Sequence, residues 1–123
     1  MEEEELRMIK EVVLIDCTWL QTAHFLKQPN IQQLKKVKIQ TEKTVFWRYQ
    51  SVSETNLATI EAMYFFFRDY DVALNWGKDY ERYAGKYDNL LYYYAFNYRL
   101  IQREYSEGDK KDLKFWRIDG YIK

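Results

Sequence analysis

Cysteine, histidine and proline each occur once in the 123 residues, and there are only four glycines. With Cys17 and His24 alone of their kinds, a disulfide framework and a Cys/His zinc site are both excluded within one chain. No metal is expected. Neither sign of charge is in excess, with 19 basic and 19 acidic residues, so no global field draws the chain toward nucleic acid. Long hydrophobic runs are missing as well. The longest aromatic-aliphatic stretch, Met63 to Phe67, is far too short to span a bilayer, and the acidic start does not resemble a signal peptide. An intracellular, reducing compartment with no membrane contact is expected. There is no internal repeat and no low-complexity segment.

Aromatic residues are abundant: 19% of the chain, with 12 Tyr, 7 Phe and 4 Trp. Such rings suit both wet cores and base-stacking surfaces. Hydrophobic residues at 47% and charged residues at 31% describe a globular chain, long enough for one domain over 1–123 and too short for two. Charge is unevenly placed. Residues 2–11 carry five acids against Arg7 and Lys10, whereas residues 27–48 carry six bases (Lys27, Lys35, Lys36, Lys38, Lys43, Arg48) against Glu42 alone. That basic segment is either a phosphate-facing surface or a solvated face.

Val12 to Ile15 is a continuous aliphatic run, the pattern of a strand buried on both faces. Thr18 can cap a helix whose apolar side is Trp19, Leu20, Ala23 and Leu26, and Pro29-Asn30 ends it and permits another short turn. Alternation over 36–40 suggests a second strand, and 44–49 a third. The polar connection 51–56 leads into a helix over 57–68 that is apolar almost all round. After a loop over 75–86, Tyr87, Leu90, Leu91, Tyr94, Tyr98 and Ile101 recur at helical spacing. Tyr92 to Tyr94 occupy successive positions on that helix, so the three cannot make one stacking platform. Residues 101–123 form a charged extension with a cluster at Phe115, Trp116, Ile118 and Tyr121. Strand, helix, strand and then helices predict an α/β domain, in which ligands gather beyond the carboxyl ends of strands. Asp16 stands at such an end.

The sequence Asp16-Cys17-Thr18-Trp19 after "VVLI" resembles the motif of the DTW-domain family. "KTVFWRYQ" at 43–50, "NLATIEAMYFF" at 56–66 and "KYDNLLYYYAF" at 86–96 follow in the family's order, the last like the C-terminal helix of its eukaryotic tRNA branch. The motifs lie within 12–100. The resemblance implies transfer of a 3-amino-3-carboxypropyl group from S-adenosylmethionine to a uridine of tRNA, in the nucleus or cytoplasm. It also implies the C-terminal, trefoil-knot-like (SPOUT-like) part of an α/β fold. The family's amino-terminal half, with its cysteine-bearing segment and early strands, is not in this sequence, and position 58 is Ala where many relatives have Ser. A ribosomal-RNA aminocarboxypropyltransferase and a catalytically silent RNA-binding or interaction module are the alternatives.

The transfer needs a uridine ring nitrogen freed of its proton, and Asp16 is the candidate acceptor or the group facing the sulfonium. It could equally cap a helix. Thr18 and Trp19 are candidates for the cofactor or, respectively, a cap and a core anchor. Thr59 and Glu61 are implied either to bind the cofactor or to hold a loop beside it; Glu61 could also simply be at ease near a helix N-terminus. Asn56 could be an N-cap. Cys17 reads as packing and His24 as surface. Lys35, Lys38, Lys43, Trp47 and Arg48 are the candidate RNA contacts, a stacking face among cations, with core packing the alternative for Trp47.

Overall fold

A computed structural model describes residues 3–39, 42–47, 53, 55–75, 83–107 and 122. Five α-helices occur among them: α1 (Glu3–Arg7), α2 (Thr22–Leu26), α3 (Pro29–Gln32), α4 (Thr59–Leu74) and α5 (Tyr92–Glu107). Two 3-10 turns, Trp19–Gln21 and Asp88–Leu91, lead into α2 and α5. Pro29 opens α3, where its fixed φ suits the helix and its missing N–H costs nothing.

The long helix α4 organises the rest. Its run Met63-Tyr64-Phe65-Phe66-Phe67 offers apolar surface in every direction, and Phe65 is wholly buried. Burying such a ring contributes roughly 1.5–3 kcal/mol. One side of α4 carries α1, where the Tyr70 hydroxyl donates to the Leu6 carbonyl at 3.1 Å. The Asp88–Leu91 turn packs on α4 as well. There the Tyr64 hydroxyl donates to Asp88 at 3.2 Å, and the Tyr87 N–H donates to the Tyr83 hydroxyl at 2.6 Å. Burial, aided by Asp88, raises the Tyr64 phenol above its ordinary value and pushes Tyr83 up to about 12, so both remain protonated donors at neutral pH. Gly85 makes the turn possible: its φ is +80°, and an added Cβ would lie 3.0 Å from the Asp88 carboxylate.

Between α4 and α5 runs the segment 42–47. Val45, Leu91, Tyr94 and Tyr98 form the buried core cluster, with Phe46, Trp47, Ala58, Ile60, Tyr64 and Ile122 packed against it. The Trp47 ring lies 5.3 Å from Tyr94, and Phe46 stacks on Tyr94 at 6.4 Å. Arg68 holds the start of this segment by pairing with Glu42 at 3.2 Å and with Asp69 at 2.8 Å, while its guanidinium covers the Phe65 ring at 4.7 Å.

Of the predicted strands, the described residues 12–15, 36–39 and 44–47 are not in strands, and 40, 48 and 49 lie outside the described residues; the described part is mostly helical where α/β was expected. A β-strand exists only through ladder partners for its N–H and C=O groups, and none of the described residues runs as a ladder beside these segments. Residues 11–18 are extended and largely open, with Val13 67% exposed. The apolar side predicted for the first helix also faces outward, since Trp19, Leu20 and Leu26 are exposed. The predicted cluster at Phe115, Trp116, Ile118 and Tyr121 lies outside the described residues. No helix of the described residues is long and apolar enough to cross a membrane.

Candidate active site at the start of the long helix

The Thr59 hydroxyl donates a 2.7 Å hydrogen bond to Asp16 Oδ1 across 43 positions of sequence. Two of the predicted site residues are thereby brought together. Asp16 is exposed, and Oδ2 has no partner among the described residues. Thr59 is the first residue of α4, so this carboxylate sits at the positive end of a 16-residue helix. Ala58 is the N-cap, with the extended φ −67° and ψ 155° that the position requires but no side-chain acceptor for the first N–H groups. Asn56, expected as the cap, lies two residues upstream, and its Nδ2 is buried without a hydrogen-bond partner among the described residues.

Glu61 is placed differently. It is fully buried, accepts from the Thr44 hydroxyl at 2.7 Å and the Val45 N–H at 2.9 Å, and reaches back to the Ala58 N–H at 2.6 Å. Thr44 itself accepts from the Phe46 N–H at 3.0 Å, which commits its own proton to Glu61. Of the two roles implied for Glu61, holding a loop is the one its contacts perform. It ties 44–45 to the start of α4, two residues past the Asp16–Thr59 pair. The contact to Ala58 is half of a capping box; the other half needs a hydroxyl at position 58. Ala58→Ser is therefore expected to stabilise the fold by about 0.5–1.5 kcal/mol, read as a raised urea midpoint at unchanged m-value. A lowered midpoint would mean the half-buried site has no room for the hydroxyl.

The other predicted residues are dispersed. Thr18 precedes the Trp19–Gln21 turn and is exposed; its N–H donates to Gln21 Oε1 at 3.1 Å. Trp19 is 45% exposed. Cys17 is half-buried, and His24 is exposed on α2 beside Gln28. Lys35 pairs with Glu5 at 3.0 Å, both side chains largely in solvent, an arrangement worth little in stability. Lys38 and Lys43 are exposed, Trp47 is half-buried in the core cluster, and Arg48 lies outside the described residues. Among the described residues there is no cluster of His, Cys, Asp and Glu that could hold a metal ion. Thr44 escaped the sequence reading because its partner is distant in sequence. The only local hint was Glu61 three residues after position 58, the spacing of a capping box.

The profile of the DTW domain matches residues 2–102. Similar proteins include the tRNA-uridine aminocarboxypropyltransferase 1 of Mus musculus, 44% identical over 103 residues, which cover 83% of this chain and 33% of that protein. The Homo sapiens protein of the same name is 41% identical over 107 residues, 86% of this chain and 34% of its own length. That of Xenopus tropicalis is 39% identical over 101 residues, covering 81% and 33%. No solved structure matches. The chain belongs to the DTW-domain family, and it spans about a third of the length of the curated relatives it matches.

Proposed function

We propose that this chain contributes to tRNA modification, as part of a tRNA-uridine aminocarboxypropyltransferase that uses S-adenosylmethionine. The observation that carries the reading is the Asp16–Thr59 pair at the start of α4. Two motif residues remote in sequence meet at an uncapped helix N-terminus, as a site for a charged amino-acid group would require. The family membership and the relatives' names support the reaction class.

The residues present fit one end of that cofactor. Asp16 would face its ammonium or sulfonium, and the first N–H groups of α4 would hold its carboxylate. When bound, S-adenosylmethionine supplies the 3-amino-3-carboxypropyl group and leaves as methylthioadenosine. The chain's own part is to hold Asp16 in place through the Thr59 hydroxyl and to accept the uridine ring N–H proton on Asp16, while Glu61 keeps the start of α4 in register. The adenosine end needs walls beyond the described residues. The cavity of about 110 Å³ bounded by Leu6, Val37, Phe66 and Tyr70 is too small for it, since nucleoside-sized sites run to roughly 300 Å³ or more. The trefoil-knot-like α/β arrangement belongs to the same proposal, with 12–15 and 36–40 becoming strands where ladder partners are present. A nuclear or cytoplasmic location follows from the substrate.

One rival is a catalytically silent RNA-binding module; a ribosomal-RNA transferase is the rival within the same chemistry. Melting curves with and without S-adenosylmethionine separate the first. A ligand selective for the folded state at about 100 times its Kd adds about 2.7 kcal/mol of stability and raises Tm. A raised Tm is expected, and superimposable melts of a folded sample would favour the silent module.

A further inference from the structure

The helix α5 buries one side and leaves another uncovered. Tyr94 and Tyr98 are in the core, whereas Tyr92, Tyr93 and Phe96 are 67%, 77% and 59% exposed and Leu100 is also open. At 100° per residue, Tyr92, Phe96, Leu100 and Tyr93 fall within about a quarter to a third of the helix circumference. The strip is aromatic because Phe96, one turn on, bridges the two tyrosines. Tyr92 and Tyr93 meet edge to face at 5.3 Å, a geometry that leaves most of their ring faces free. Arg99 and Arg103 stand on the same side, continuing the line of Tyr92 and Phe96 at three- and four-residue steps. The acids Glu104 and Glu107 lie at its C-terminal end.

We infer that this face of α5 binds unpaired bases of RNA by stacking on Tyr92, Tyr93 and Phe96, with Arg103 on the adjoining phosphate. Planar π-faces bordered by guanidinium match the chemistry of single-stranded nucleic acid, in which every base has a face to stack and every linkage a negative charge. A protein partner of purely apolar chemistry would have no use for the arginines. The inference rests on the tRNA reading above and adds to it a surface remote in sequence from the basic segment 35–48.

The test measures binding of the full chain to tRNA and to oligouridine as a function of salt. Tyr92→Ala/Tyr93→Ala/Phe96→Ala should weaken both by roughly tenfold for each base that stacks, with the salt slope unchanged, because stacking releases no counterions. Tyr92→Phe/Tyr93→Phe should bind as the wild type does. Arg103→Ala should flatten the slope instead. Alanine and leucine are good helix formers, so a Tyr92→Leu/Tyr93→Leu/Phe96→Leu variant with an unaltered melt shows that any loss is not unfolding. Undiminished RNA binding by the triple alanine variant overturns the inference and leaves the tRNA reading standing. Failure of the wild-type chain to bind either RNA overturns both. If the substitutions convert a dimer to a monomer without affecting RNA binding, the face is a contact between copies and the inference fails.

Discussion

Glu61→Ala is expected to lower the unfolding free energy by about 3–5 kcal/mol, a large share of the roughly 5–15 kcal/mol that holds a domain of this kind together. The estimate follows from who is left behind. The Val45 N–H and the Thr44 hydroxyl are in the interior, and the Ala58 N–H is at a helix start with no other side-chain acceptor. Each buried donor that loses its acceptor costs about 1–3 kcal/mol. Glu61→Gln separates charge and acceptor capacity from shape. One carboxylate oxygen serves Val45 and the other serves both Thr44 and Ala58, so an amide in either orientation turns an N–H₂ donor toward another donor. Glutamine should therefore cost about 1–3 kcal/mol despite being isosteric. Urea unfolding of the three proteins measures both values. An unchanged midpoint for Glu61→Ala would mean that the 42–47 segment is held by its packing on α5 and by the Glu42–Arg68 pair.

The two long helices were legible because their signal is internal to each. The apolar run from Leu57 and the three- and four-residue recurrence from Tyr87 need no partner to be recognised, and the elements begin at Thr59 and at Asp88. The strands failed for the converse reason. Val12 to Ile15 has the composition of a buried strand, but a strand is a relation between segments, and no described segment completes it. Residues 44–45 show what replaces a ladder here: a side-chain carboxylate accepts the Val45 N–H that a neighbouring strand would have taken. Within the site, the motif located Asp16, Thr59 and Glu61 without indicating which of them touch. Geometry divides them, pairing the exposed Asp16 with the half-buried Thr59 and sealing Glu61 inside. Tyr94 does turn inward, away from its neighbours, as the spacing predicts, yet Tyr92 and Tyr93 stay exposed in ring contact and gain Phe96 one turn later, a neighbour that adjacent positions do not reveal.

On the role proposed for Asp16, Asp16→Asn is expected to leave stability near its native value and to reduce aminocarboxypropyl transfer by ~100-fold or more, the scale of a lost general base. Stability is spared because Asp16 is exposed, and its contact is one accepted from the Thr59 hydroxyl at 2.7 Å, which an asparagine carbonyl oxygen can accept equally well. What the amide cannot do is take a proton from a uridine ring nitrogen or offer negative charge to a sulfonium. Because the chain spans about a third of its curated relatives, the same change belongs also in a full-length member of the family, at the position corresponding to Asp16. Mass spectrometry of tRNA nucleosides then counts modified uridines directly, while thermal melts confirm folding. A variant that melts normally but modifies tRNA at the wild-type rate would reduce the Asp16–Thr59 bond to a tie between the 11–18 segment and the start of α4. In that event proton transfer would have to be sought at another group facing the N-terminus of α4.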